Sequence, residues 1–166
     1  MLTTTYALIT LSVEQKTSRT ILSQLQESIR NILRKVHEYD LGQFKSVLEK
    51  LAQFDQYCHR RKMELYVIPA IRGVTHEVDA LLAELESFSQ QGMHQLQAAR
   101  EKISQALKAG ADQLAELYHV VVDYCDNLRR RFDKEEGELM PLVSSLLTNE
   151  QWFPIAAQCL SDHADK

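Results

Sequence analysis

RRRFDKEEGELMPL, residues 129–142, is the stretch on which the fold turns. It reads as helix, and its apolar positions Phe132, Leu139 and Leu142 continue a helical-period stripe running from Leu117 through Val121, Cys125 and Leu128. Glu135 falls inside that stripe, with Arg131 one turn earlier at its rim. A lone buried carboxylate costs several kcal/mol or takes up a proton, so one placed here needs a metal or a cation beside it.

Working outward, three more periodic segments precede this one. The first spans about 17–39 and carries Ile21, Leu22, Leu25, Ile29 and Ile32, with Asp40 and Gly42 as breakers. The second spans about 43–71, through Phe44, Val47, Leu48, Leu51, Phe54, Cys58 and Tyr66, and stops near Pro69 and Gly73. A third, about 75–109, holds Val78, Leu82, Leu85, Phe88, Leu96, Ala99 and Ile103, and SQQG at 89–92 is expected to kink or split it. Gly110 stands where a left-handed C-cap belongs, and Asp112 is the expected N-cap of the fourth segment, about 112–147. Thr148 and Gln151 form a capping-box signature ahead of a short last helix, QWFPIAAQCL. Short loops between long helices predict an all-α, up-down-up-down four-helix bundle with a short C-terminal helix. Residues 1–16 are expected as an N-terminal tail and 17–166 as one domain.

Composition narrows the function classes. Five Gly and three Pro among 166 residues suit an all-helical chain. A net charge of −4 offers no basic footprint, and the Arg129–Arg131 run is followed at once by acids, so no nucleic acid is expected. Three cysteines without a CxxC argue against a disulfide framework; Cys58 and Cys125 lie on stripes as buried apolar residues. No apolar run reaches about 18 residues and no signal-peptide pattern opens the chain, so no membrane partner and a cytoplasmic location are expected. Nothing resembles a nucleophile–base pair, a phosphate loop or a triad, so the chain is read as no enzyme, with no catalytic residue.

HRRKMELYVIPAI (59–71) superposes on RFDKEEGELMPLV (131–143): Lys62 on Lys134, Glu64 on Glu136, Pro69 on Pro141. Two late-helix prolines at one offset suggest two related half-bundles. With the tail LVSSLLTNEQWFPIA (142–156), these segments resemble the hemerythrin-like (HHE) domain family over about 17–160. The resemblance implies a four-helix bundle holding a di-iron centre, in proteins that bind or sense oxygen or handle iron or nitric oxide. It implies a His and a carboxylate one turn apart on the second and fourth helices, and single histidines from the first and third. Transferred residue by residue, His59 matches the second-helix histidine and Met63 occupies its carboxylate position. Glu135 matches the fourth-helix carboxylate and Arg131 occupies its histidine position. The first-helix histidine falls near Ser23 or Gln24, with His37 too close to the second helix. On the third helix His94 is nearest in spacing and His76 is the other option. Candidate metal ligands are therefore His59, Glu135 and His94.

A guanidinium stays protonated and has no lone pair to give, so Arg131 opposes a di-iron centre. Asp55 and Lys62 also sit inside the second-helix stripe, with His59 at its edge. The expectation is a core charged cluster of Asp55, Lys62, Arg131 and Glu135 in place of iron, so that Arg131→Leu costs more than about 2 kcal/mol. An intrahelical Arg131–Glu135 pair competes equally with that cluster, and Glu64 is expected to point elsewhere. His119 and Asp123 share ligand spacing but are expected to face solvent.

Two functions follow. The first is a binding or regulatory bundle without cofactor, contacting a protein partner or its own copy as a homo-oligomer, with an exposed apolar patch near Trp152 and Phe153. The second is a functional iron-binding member of the family. RRRFDKEEGEL is also similar, over that short segment, to the regulator of sigma D family, helical proteins that bind a transcription factor.

Overall fold

The computed structural model describes residues 2–34, 41–109 and 114–164. Asp40, Gly110, Asp112 and His37 lie outside them. The described residues are helical almost throughout, in seven α-helices: α1 (Leu2–Arg34), α2 (Leu41–His59), α3 (Ile68–Ile71), α4 (His76–Ala109), α5 (Leu114–Lys134), α6 (Met140–Leu146) and α7 (Asn149–Ala164). Four columns form the bundle: α1, α2 with α3, α4, and α5 with α6. α1 and α4 each touch both α2 and α5, and α7 packs beside α1.

Residues 2–16, expected as a tail, are the first half of α1, and Ala7 and Leu11 are buried. Their Thr-rich composition masks this, because β-branched hydroxyl residues are indifferent helix formers. The hydroxyls of Thr10, Thr17, Ser18 and Thr20 each donate to the carbonyl four residues back, at 2.9–3.0 Å, which satisfies them within the helix.

The two aligned segments take the same shape. π-Helical turns at Met63–Val67 and Glu135–Leu139 lead into α3 and α6. In each the bond skips one residue further than in an α-helix: Ile68 N–H donates to Met63 O, and Met140 N–H to Glu135 O. Pro69 and Pro141 follow one residue later in both. The widened turn makes room for a ring that would otherwise strike the carbonyl of the preceding turn. The second column is broken earlier than expected, by a turn at Arg60–Arg61 immediately after His59.

The SQQG stretch neither splits nor ends α4, which runs unbroken through it. Gly92 lies against α5: a Cβ there would meet Tyr124 and Asn127 at 3.4 Å, ordinary van der Waals contact. Gly92→Ala is therefore expected to stabilise by about 0.5 kcal/mol through helix propensity, raising Tm by about 1–2 °C in a thermal melt. A lowered Tm would mean that this seam is tighter than described. Gly73, at φ +77°, makes the left-handed turn between α3 and α4. The capping box is present: Thr148 N–H donates to Gln151 Oε1 at 2.9 Å, and Gln151 N–H to Thr148 Oγ1 at 3.3 Å. All three cysteines are free and buried.

Two apolar cores result. One gathers Leu22, Leu51, Phe54, Cys58, Leu96, Leu117, Leu128 and Phe132. The other gathers Leu11, Met63, Ile71, Leu85, Leu139, Val143, Trp152 and Cys159. Along each column the two sets are separated by polar residues. Gln15 and Ser18 lie between Leu11 and Leu22, Arg61 between Cys58 and Met63, Ser89 between Leu85 and Leu96, and Glu135 between Phe132 and Leu139. The bundle thus carries one polar layer across its waist.

Candidate functional site: a buried ion-pair layer

Glu135 is the centre of this layer and is wholly buried. Its partner across the bundle is Arg61, only 1% exposed, and not Lys62. Arg61 Nη1 and Nη2 donate to the two carboxylate oxygens at 2.8 and 2.7 Å, a bidentate fork. The rest of this guanidinium is also satisfied. Nε donates to Cys58 O at 3.0 Å, Nη1 also reaches Gln15 Oε1 at 3.1 Å, and Nη2 lies 3.5 Å from Glu64. The group stands over the Phe132 ring, 4.9 Å from its centroid. Gln15 is fixed in turn by donating to Phe132 O at 3.1 Å.

Arg131 closes the layer from the other side. Its Nε donates to Glu135 Oε1 at 3.1 Å, while its terminal nitrogens pair with Ser89 Oγ and Glu64. The intrahelical Arg131–Glu135 pair and a cross-bundle pair thus exist together. Glu64, expected to point elsewhere, turns into the layer because the break after His59 and the π-turn change the register of the column. Two guanidiniums face two carboxylates, so charge balances locally.

Burial by itself would raise the Glu135 carboxyl; the charge and hydrogen bonds of Arg61, then of Arg131, outweigh it and hold the group below its ordinary value of 4.5. The arginines shift in opposite directions. Burial works against Arg61, yet Glu135 raises it. Burial lowers Arg131, with Glu135 opposing and the like charge of Arg61 adding to the fall. A carboxyl held lower in the folded than in the unfolded state contributes stability that is fully present above about 4.5 and is lost as pH falls through the depressed value. Urea midpoints followed from pH 7 to pH 3 are expected to fall less steeply in Glu135→Gln than in the wild type; parallel slopes would refute the assignment.

The remaining expected residues lie elsewhere. Lys62 reaches Glu14 at 3.6 Å on α1 and takes no part with Asp55 or Glu135. Asp55 accepts from Tyr124 Oη at 2.8 Å and lies 3.5 Å from His59. Burial works to raise Asp55, and its bonds to His59 and Tyr124 bring it below its ordinary value. His59 is half exposed and turned along its own helix toward Asp55. His94, His76, Ser23 and Gln24 are exposed, as are His119 and Asp123. Trp152 is buried, so the patch expected around it is reduced to Phe153. Arg61 was the residue missed, although its spacing is informative: it falls seven positions after Phe54 and three after Cys58, on the same stripe.

Residues 10–143 match the family model described as the hemerythrin HHE cation-binding domain. The chain belongs to that family, and the all-α bundle agrees with it. No curated protein and no solved structure gives a significant match. The family implies a di-iron centre, and the residues present do not fit one. Of the aligned ligand positions, Met63 offers a thioether and Arg131 a cation, while His59 faces outward. The remaining ligand, Glu135, has both oxygens taken by guanidiniums. Among the described residues no group of three or more His, Cys, Asp or Glu side chains is placed to hold a metal ion. Among them, too, no helix is long and apolar enough to cross a membrane.

Proposed function

We propose that this chain is a non-enzymatic hemerythrin-like bundle in which the Arg61–Glu135–Arg131 layer stands in place of the di-iron centre. It acts in the cytoplasm as a binding or regulatory module. The observation that carries this reading is the fork from Arg61 onto Glu135, at 2.8 and 2.7 Å, because a fixed positive charge then holds the carboxylate that aligns with the family's fourth-helix ligand. Such a layer fits a structural role: it pairs the second and fourth columns in one register without a cofactor. A chain of this kind does its work through its surface.

The family match supports a second reading, an iron-binding protein in oxygen, iron or nitric oxide handling. The two diverge in a thermal melt under anaerobic conditions with ferrous iron or with a chelator. A ligand at about a hundred times its Kd adds about 2.7 kcal/mol, which for a chain of this size is about 5–10 °C. The ion-pair reading expects Tm unchanged by either addition. A rise of that size with iron, reversed by the chelator, would establish the second reading.

A further inference from the structure

We propose that the cleft between the middle of α1 and the two π-turn segments binds a small aliphatic carboxylate, a fatty acid of medium chain length. This gives the binding role above its ligand class and rests on that reading. The cleft encloses about 350 Å³. Sites for small molecules span about 300–1,000 Å³, so the volume suits one short chain and excludes a two-chain lipid or a folded segment.

The two walls differ in chemistry. One is apolar: Leu11 from α1, Met63 at the start of the first π-turn and Met140 just after the second. Thioether side chains are unbranched and adapt to a flexible chain. No aromatic ring lines the cleft, so nothing there stacks a planar ligand. The other wall is one face of α1, where Ser12, Gln15, Lys16 and Arg19 recur at helical spacing.

That face offers donors. Ser12 Oγ and Lys16 Nζ have no partner among the described residues. The Gln15 amide uses one of its two N–H groups on Phe132 O and is held in place by accepting from Arg61, so the wall is set before a ligand arrives. The single carboxylate lining the cleft, Glu136, is taken by Arg19 at 2.9 and 2.7 Å, and Arg19 also holds Asp133 at 2.9 Å. One uncommitted cation therefore remains, Lys16, which matches a monoanion. An amine would meet donors and a charge of its own sign.

Isothermal titration of the full chain with octanoate tests this, with EDTA present throughout. Octanoate, with about ten non-hydrogen atoms, is expected to saturate one site per chain at roughly millimolar Kd or tighter. Octylammonium should bind at least tenfold more weakly, and acetate, which lacks the chain, should give no saturable heat. Lys16→Glu, which reverses the charge, and Ser12→Trp, which fills the cleft, should each weaken octanoate at least tenfold. Both positions are exposed, and helical circular dichroism checks each variant; if one loses helix, the other carries the test. No saturable octanoate binding, octylammonium binding as tightly, or octanoate binding unchanged in the folded variants would each overturn the proposal. With iron chelated, such a failure leaves the ion-pair reading of the layer standing, and iron uptake in the separate melt overturns that reading alone.

Discussion

Glu135→Leu is expected to lower the free energy of unfolding by about 3–5 kcal/mol in urea titrations, the largest effect of any single substitution in the layer. The leucine itself packs without difficulty, since Phe132 and Leu139 are both buried on the same stripe. The cost comes from what is left behind. Arg61 and Arg131, both buried, would face each other without the carboxylate they share. Neither can shed its proton to escape. A cost under about 1 kcal/mol would show that the guanidiniums find water or Glu64 instead, and would remove the layer from any structural account.

Arg61→Leu is the second large effect, expected at about 3 kcal/mol and greater than that of Arg131→Leu, at about 2 kcal/mol. Geometry sets the order. Arg61 gives Glu135 two short bonds and also satisfies Gln15 and the Cys58 carbonyl, whereas Arg131 gives Glu135 one bond at 3.1 Å. After Arg131→Leu, Glu135 keeps its fork; after Arg61→Leu it keeps one donor. The double variant Arg61→Leu/Glu135→Leu should cost clearly less than the two single costs added, because it removes a cation and an anion together. Strict additivity would mean that the pair does not act as a unit.

Much of this was legible in the sequence. Helical periodicity located the long columns, and Glu135 was legible as a buried carboxylate because Phe132 and Leu139 flank it on one continuous stripe. The offset of Pro69 and Pro141 pointed to paired segments, which the two π-turns realise. Its failures have physical causes. Counting 100° per residue carried Lys62 into the core because it assumed an unbroken helix, and the turn at Arg60–Arg61 ends that assumption. Asp55, ahead of that turn, does lie on the inner side of α2, but bonded to Tyr124 and not to the layer. Arg61 did lie on the stripe, but the same count gave the core position to its neighbour Lys62. The first half of α1 escaped notice because threonines blur helical periodicity, and their back-bonding to carbonyls is not visible in composition.

The measurement that bears most directly on the central claim is the iron content of the protein, by elemental analysis after anaerobic loading with ferrous iron and desalting. The absorption spectrum of the air-exposed sample is recorded alongside. An ion-pair layer in place of the metal centre predicts no iron above background and no near-ultraviolet band in a fully helical protein. Stoichiometric iron with such a band would contradict it, because Glu135 would then have to leave Arg61 for the metal.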